Sequence, residues 1–160
     1  FDKDAVGGEK VVNDIISAFE FADNDVYRAV THNKGVMNGT ISVANATGQD
    51  SRAIEAAAHA YASHTGKYCS LTTWTKDDSG NLIGKFEIPL SVGIIGGVTN
   101  DHPIAKICTK ILKLQNVQEL ACIMAATGLA QNFAAMRALV TEGIQKGHMK
   151  LHARKQASNS

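Results

Sequence analysis

Three short polar segments interrupt an otherwise apolar, alanine-rich sequence, and each carries one side chain that could take part in catalysis. They are Thr-His-Asn-Lys-Gly at 31–35, Ala-Thr-Gly-Gln-Asp at 46–50 and Glu-Gly-Ile-Gln-Lys-Gly-His-Met at 142–149. We expect tight, glycine-bearing turns to present Lys34 to an oxyanion, Asp50 as the group that orients this lysine, and His148 as a proton donor. This trio suits carbonyl chemistry in which negative charge develops on an oxygen and a leaving group needs a proton.

Each of these three side chains also has an ordinary structural interpretation. Lys34 could be a surface lysine, Asp50 could cap the helix that follows it, and His148 could lie on the surface at a helix end. His148 and His152 are four residues apart, a spacing that can hold a metal ion, but no third ligand is obvious. No glutamate stands between them as in the zinc proteases, so we expect no metal site.

A guanidinium and two amides are further candidates for ligand binding. Arg28 could hold a carboxylate as a planar fork, or it could form a surface ion pair with Asp23 or Asp25. Gln131 and Asn132 interrupt an apolar segment, and a buried amide without a partner costs roughly 1–3 kcal/mol. These amides therefore either brace the helix against a loop or contact the substrate.

Composition limits the class of protein. A chain of 160 residues most simply forms one domain, and its 44% hydrophobic but only 6% aromatic residues predict an aliphatic core with closely packed helices. With 16 Lys and Arg against 15 Asp and Glu and no long basic run, nucleic acid is an unexpected partner. Three cysteines without CxxC spacing indicate free thiols in a reducing cytoplasm and no structural zinc.

Hydrophobic periodicity predicts a helix-dominated α+β fold. We expect helices over 7–24, over 51–63 with Asp50 as a possible cap, and from Pro103 to about Leu114. Residues 34–46 could form either a helix or a strand. Alternating residues at 71–75 and 82–90, joined by a turn at 76–81, predict a β-hairpin, and the glycine-rich stretch 91–99 predicts a tight connection.

The longest predicted helix covers 117–141 and is apolar almost all the way round. Such a helix is buried at the centre of a domain or lies in a membrane. Polar residues interrupt it too often for a membrane span, so we expect a central helix, part of which a second subunit could cover.

The segments that carry these residues closely resemble the 3-hydroxy-3-methylglutaryl-coenzyme A (HMG-CoA) reductases, especially the class II enzymes of bacteria and archaea. The resemblance extends from about residue 25 to residue 154. The matching segments are YRA at 27–29, THNKG at 31–35, MNG at 37–39, ATGQD at 46–50, RAIEA at 52–56, GLAQN at 128–132, RALVTEGIQKGHM at 137–149 and LHAR at 151–154.

The resemblance implies interconversion of HMG-CoA with mevalonate and CoA by two hydrides from NADH or NADPH. By position, Lys34 is similar to the lysine that polarises the thioester carbonyl and stabilises the oxyanion. Asp50 is similar to the aspartate that hydrogen-bonds this lysine, and His148 to the histidine that protonates the departing CoA thiolate.

The remaining matches concern substrate binding. Arg28 is similar to a residue that holds the substrate carboxylate, and Asn38 and Asn132 match polar residues around the lysine, with Gln131 beside them. Two neighbours of Asp50 depart from the family pattern: Gln49 stands where Asn is common, and Ser51 where an aromatic residue is common.

The resemblance also implies an organisation larger than residues 1–160. We expect this segment to be part of the large catalytic domain of a cytoplasmic homodimer whose active site forms between two subunits. A glutamate in a Glu-Asn motif and a small cofactor-binding domain with an Asp-Ala-Met-Gly motif are expected upstream, and a mobile flap downstream. The isolated segment is then inactive, or in the alternative interpretation only a dimerisation and substrate-binding module.

Overall fold

The computed structural model describes residues 1–143, except for the side chain of Asn100. Its elements are α1 (Lys3–Val6), α2 (Glu9–Asn24), α3 (Val26–Ala46), α4 (Ser51–Ala62), β1 (Thr72–Lys76), β2 (Leu82–Phe86), α5 (Gly97–Asp101), α6 (Pro103–Leu112) and α7 (Val117–Val140). The predicted helix-dominated α+β class with a hairpin and a long central helix is confirmed. Within residues 1–143, every helix is too short or too polar to cross a membrane.

Helix α3 corrects one expectation and decides another. Residues 31–35 lie in the middle of this helix and not in a glycine-bearing turn, and the ambiguous stretch 34–46 is helical. Asp25 caps the start of the helix, and its side chain accepts a hydrogen bond from the backbone N–H of Arg28 at 2.7 Å. Two glycines inside α3 weaken its periodic signal, but packing against α7 stabilises a helix despite low local propensity.

Helices α3 and α7 cross where each contributes a glycine. A Cβ on Gly39 would lie 2.5 Å from the carbonyl oxygen of Thr127. A Cβ on Gly128 would lie 2.5 Å from Oγ1 of Thr40 and 2.8 Å from the ring of Phe86. No real side chain tolerates such distances, so these two glycines set how closely the helices approach.

Helix α7 is central, as predicted, but only part of its apolar circumference is covered within this chain. Its buried residues recur every four positions and are Leu120, Met124, Gly128, Asn132 and Met136. The opposite side, which we call the outer face of α7, is exposed and consists of Cys122, Ala126, Ala130 and Ala134.

Two apolar clusters form the core on either side of the α3–α7 crossing. The first joins α3, α4 and α7 and includes Met37, Ile54, Leu120 and Met124. The second joins α2, the hairpin and the end of α7 and includes Ile15, Trp74, Leu82 and Met136.

The β-hairpin is confirmed, although its second strand ends at Phe86 instead of residue 90. Trp74 pairs with Gly84 across the two antiparallel strands. The indole ring lies so close that a Cβ on Gly84 would be 2.6 Å from it. Trp74 is fully buried, and the hairpin packs on α2 and α7. The hairpin thereby places strand β1 next to helices α3 and α7.

Helices α4 and α6 begin where the sequence predicts. The carboxylate of Asp50 accepts a hydrogen bond from the backbone N–H of Ala53 at 3.1 Å and caps α4. Pro103 occupies the first turn of α6, and the preceding glycine-rich connection ends in the short helix α5. Helix α6 buries only Ala105, and its isoleucines at 104, 107 and 111 are exposed.

Candidate active site

A cavity of about 380 Å³ lies between α3 and α7 and brings together five of the seven residues that the sequence analysis singled out. Those five are Arg28, Lys34, Asn38, Gln131 and Asn132. The other lining residues are Thr31, His32, Gly35, Ala135, Met136 and Leu139.

Helical spacing explains why these residues meet. On α3, positions 28, 31, 35 and 38 are separated by three or four residues and therefore share one face. On α7, positions 131, 135 and 139 repeat every four residues and face α3 in the same way. The cavity lies beside the glycine crossing, since it is lined by Asn38, next to Gly39, and by Gln131, one turn after Gly128.

The described lining of the cavity has a positive wall and contains no acid. Arg28 is half-buried and Lys34 is exposed, and neither side chain forms an ion pair with another residue of 1–143. Burial lowers the pKa of the Arg28 guanidinium from its ordinary value. Two cations without a described acidic partner suit a ligand that carries a carboxylate and develops negative charge on a second oxygen.

The alternative ion pairs of Arg28 do not form. Asp25 caps α3 through the Arg28 backbone, and Asp23 accepts a hydrogen bond from the backbone N–H of Ser70 at 3.2 Å. Within residues 1–143, the Arg28 guanidinium therefore has no acidic partner, and it lines the cavity.

The two amides of α7 have different environments. Gln131 is exposed on the cavity rim, whereas Asn132 is 2% exposed. Oδ1 of Asn132 accepts hydrogen bonds from Nε1 of Trp74 at 2.8 Å and from Oγ1 of Thr72 at 3.1 Å. An indole N–H can only donate, so it fixes which end of the amide is oxygen. Asn132 therefore braces α7 against the hairpin and also lines the cavity.

His32 belongs to the same buried group, and the sequence analysis did not select it. Its Nε2 lies 2.7 Å from Oγ1 of Thr72 and 3.3 Å from Nδ2 of Asn132. Burial, and then the positive charge of Arg28, lower the pKa of His32 to about 4, so the ring is neutral at pH 7. Its spacing of four residues from Arg28 was the one sequence feature that could have placed His32 on the cavity side of α3. The contact with Thr72 of β1 joins residues 40 positions apart and has no local sequence signal.

Asp50 is not part of the cavity lining. It caps α4 beyond the end of α3, and the 12 residues from Lys34 to Ala46 correspond to about 18 Å along a helix. The role of Asp50 towards Lys34 stays a prediction. His148 and His152 lie outside the described residues, and within 1–143 no cluster of three metal-ligating side chains occurs.

The sequence model of a protein family described as hydroxymethylglutaryl-coenzyme A reductase matches residues 2–153. The chain is 58% identical over 154 residues to the 3-hydroxy-3-methylglutaryl-coenzyme A reductase of Archaeoglobus fulgidus, covering 96% of this chain and 35% of that protein. It is 45% identical over 142 residues to the probable enzyme of the same name from Borreliella burgdorferi, covering 89% of this chain and 32% of that protein.

The fold is similar to that of solved class II reductases. A structure of the Streptococcus pneumoniae class II enzyme bound to NADPH in open conformations superposes with a TM-score of 0.82 at 46% identity, covering 92% of this chain and 36% of that one. A second structure of the enzyme from this organism gives a TM-score of 0.81 at 43% identity, covering 84% and 37%. The chain spans about a third of the length of these relatives.

Proposed function

The chain belongs to the hydroxymethylglutaryl-coenzyme A reductase family, and on that premise we propose that its α3–α7 cavity binds the acyl group of HMG-CoA for reduction to mevalonate. The observation that carries this proposal is the convergence of Arg28, Lys34 and Asn132 on one cavity whose described lining holds no acid. A monothioester of a dicarboxylic acid has one permanent anion and one carbonyl oxygen that becomes anionic, which matches two cations that no described acid pairs with.

Arg28 and Lys34 then have separate tasks. The planar guanidinium of Arg28 pairs with the free carboxylate of the acyl group through two parallel hydrogen bonds. Lys34 follows Arg28 by six residues on α3, and its ammonium group contacts the thioester oxygen. Asn38 and Gln131 lie on the rim and supply amide hydrogen bonds around the lysine.

The reduction proceeds in two hydride additions to the same carbon. After the first, the C=O bond becomes a C–O⁻ bond, and the ammonium group of Lys34 stabilises this oxyanion. The oxyanion collapses to an aldehyde, the C–S bond breaks, and His148 donates a proton to the CoA thiolate. The second hydride converts the aldehyde to an alkoxide, which takes a proton and becomes the primary alcohol. The assignment of His148 depends on the family resemblance.

We assign the cofactor-binding site to parts of the protein outside residues 1–143. A nicotinamide cofactor supplies both hydrides when it is bound, and the NADPH of the Streptococcus pneumoniae structure supports this class of cofactor. The lining of the cavity fits the acyl group, and Gly93, Gly96 and Gly97 do not have the spacing of a dinucleotide-binding loop. Either NADH or NADPH satisfies the chemistry.

A cytoplasmic homodimer completes the proposal. The outer face of α7 and the isoleucines of α6 are apolar surfaces left exposed in one chain, and a second copy would cover them. In a site shared by two subunits, Asp50 of one copy reaches Lys34 of the other. This arrangement would bring the two side chains together although Lys34 lies in the middle of α3 and Asp50 lies beyond its end.

The deciding experiment follows NADH or NADPH absorbance in the full-length protein with HMG-CoA. Wild type should consume the cofactor only when HMG-CoA is present. Lys34→Ala should lower kcat by roughly 100- to 1000-fold because the oxyanion loses its cation. Lys10→Ala is the matched control, since Lys10 is an exposed lysine on α2 whose only described partner is Asp14. Cofactor consumption that is indifferent to HMG-CoA would refute the proposal.

A further inference from the structure

The side chain of Gln49 ties the turn that carries Asp50 to a distant segment of the chain. Oε1 of Gln49 accepts a hydrogen bond from the backbone N–H of Gly93 at 2.9 Å, and Nε2 donates to the backbone carbonyl of Gly93 at 2.8 Å. An N–H can only donate and a carbonyl can only accept, so both ends of this amide are assigned. We call these two hydrogen bonds the Gln49–Gly93 pair.

A threonine hydroxyl joins the same two segments. Oγ1 of Thr99 donates to the carbonyl oxygen of Thr47 at 3.1 Å and accepts a hydrogen bond from Nε2 of Gln49 at 3.3 Å. Thr47 is fully buried and Thr99 is 6% exposed. Gly48 approaches the second segment so closely that a Cβ would lie 3.2 Å from the backbone nitrogen of Thr99. The two segments are therefore closely packed as well as hydrogen-bonded.

Gly93 is held to the core by its neighbours, whereas the turn is not. Val92 and Ile94 pack against the first apolar cluster, so the backbone between them is anchored. Residues 48–53 bury no side chain, and among these six Gln49 alone has a side chain that hydrogen-bonds to a distant part of the chain. The Gln49–Gly93 pair therefore links the start of α4 to an anchored segment.

Asp50 directly follows this link and is exposed. Its Oδ1 caps α4 at the backbone N–H of Ala53, and its Oδ2 has no hydrogen-bond partner within residues 1–143. The cap fixes the carboxylate relative to α4, and the Gln49–Gly93 pair fixes the first turn of α4 relative to the core. A reacting group needs both, since a displacement of about 1 Å can cost roughly 100-fold in rate.

We propose that Gln49 is a positioning residue for Asp50, whose pairing with Gly93 holds the turn at 47–50 where the Asp50 carboxylate reaches Lys34. This inference rests on the proposed function. Gln49 does not line the α3–α7 cavity, so it acts through Asp50 and not through the substrate. Loss of Gln49 should therefore lower kcat and leave KM for HMG-CoA constant.

The first test uses Gln49→Met in the full-length protein, because methionine keeps the length of the side chain and removes both hydrogen bonds. We expect kcat with HMG-CoA to fall about 10- to 100-fold at constant KM. Gln115→Met is the matched control, since Gln115 is an exposed glutamine that donates to the carbonyl of Lys113 at 3.0 Å. Wild-type kcat in Gln49→Met would overturn the inference.

A second variant serves if Gln49→Met does not fold. Gln49→Glu keeps the shape of the side chain and an acceptor for the Gly93 N–H, but it places an oxygen against the Gly93 carbonyl. Two acceptors cannot hydrogen-bond each other, so kcat should fall here as well. Wild-type kcat in Gln49→Glu would contradict the need for the amide.

A double-mutant cycle distinguishes positioning from a general structural role. If Gln49 acts only through the Asp50 carboxylate, Gln49→Met should not lower kcat further in an Asp50→Asn background. A residue that merely supports the fold would lower kcat by the same factor in both backgrounds, and that result would overturn the inference.

Hydrogen exchange at the backbone amide of Gly93 tests the contact itself without turnover. The amide should exchange at least about tenfold faster in Gln49→Met than in wild type, because its acceptor is gone, and Gln115→Met should leave the rate unchanged. Equal exchange in Gln49→Met and wild type would overturn the inference. Wild type without HMG-CoA-dependent cofactor consumption refutes the proposed function and this inference with it, whereas normal wild-type turnover with undiminished kcat in Gln49→Met refutes the positioning role alone.

Discussion

Arg28 and Lys34 face the same cavity from one helix but differ in burial, so their substitution should have different kinetic effects. Arg28 is half-buried, whereas Lys34 is exposed. A residue that binds an unchanging carboxylate contributes equally to the ground state and the transition state. Arg28 should therefore affect KM, and Lys34 should affect kcat.

Arg28→Lys tests this distinction. The variant keeps the charge but loses the planar fork, and KM for HMG-CoA should rise about tenfold with little change in kcat. Arg52→Lys is the control, since Arg52 is an exposed arginine on α4 outside the cavity lining. Steady-state kinetics measures both constants. A fall in kcat of the Arg28→Lys variant while KM stays constant would contradict a pure binding role for Arg28.

The low pKa of His32 predicts an acid-sensitive stability. Between the ordinary value of 6.5 and about 4, the unfolded chain binds a proton at this histidine and the folded chain does not. This contribution to stability is present above pH 6.5 and is lost as the pH falls towards 4. From pH 7 to pH 5, wild type should lose about 2 kcal/mol more unfolding free energy than His32→Gln. Urea denaturation at both pH values measures the difference, and parallel losses would contradict the burial of a neutral ring.

Single residues could be predicted from sequence where a helix places them at fixed spacing. Arg28, Lys34 and Asn38 come from one helix, and its geometry brings them to one side. The sequence analysis did not select His32, because the buried contact of its ring is with Thr72, which the hairpin brings from a distant part of the sequence. Such a contact has no local signal.

At the level of elements, the glycine crossing of α3 and α7 determines the width of the cavity. Gly128→Ala should destabilise the fold by about 1–3 kcal/mol because the new methyl group would meet Thr40 and Phe86. Gly35→Ala is the matched control. A Cβ at position 35 meets no atom within 4 Å, and helix propensity should raise stability by up to about 1 kcal/mol. Equilibrium unfolding in urea measures the unfolding free energies of the two variants. Equal values would show that α3 and α7 can move apart at the glycine crossing without loss of stability.

Element types were predictable where the hydrophobic pattern is strong. The hairpin and α7 were predicted because alternation and an apolar run are unambiguous over those residues. Helix α3 was ambiguous because buried His32 and Asn33 and two interior glycines disturb its apolar repeat. The glycines serve the approach of α7, which becomes apparent only when both helices are in place.

At the level of the whole molecule, the separation of Lys34 from Asp50 predicts that mutant subunits complement each other. In a mixed dimer of Lys34→Ala and Asp50→Ala, a shared arrangement gives one site with both defects and one site with neither. Co-expression should recover about a quarter of wild-type activity from two nearly inactive variants, because about half of the dimers are mixed. Activity of the mixed sample that stays at the level of each variant alone would place both residues in one subunit.

Trp74 gives this site a built-in optical probe. It is the single tryptophan of the 160 residues, it is fully buried, and its indole N–H is bonded to the amide that lines the cavity. Indole emission depends on the polarity and hydrogen bonding around the ring, so a molecule that shifts Asn132 will change the fluorescence of the hairpin. Trp74→Phe identifies the contribution of this residue to the fluorescence. Ligand binding in the cavity can then be titrated by fluorescence in the absence of turnover.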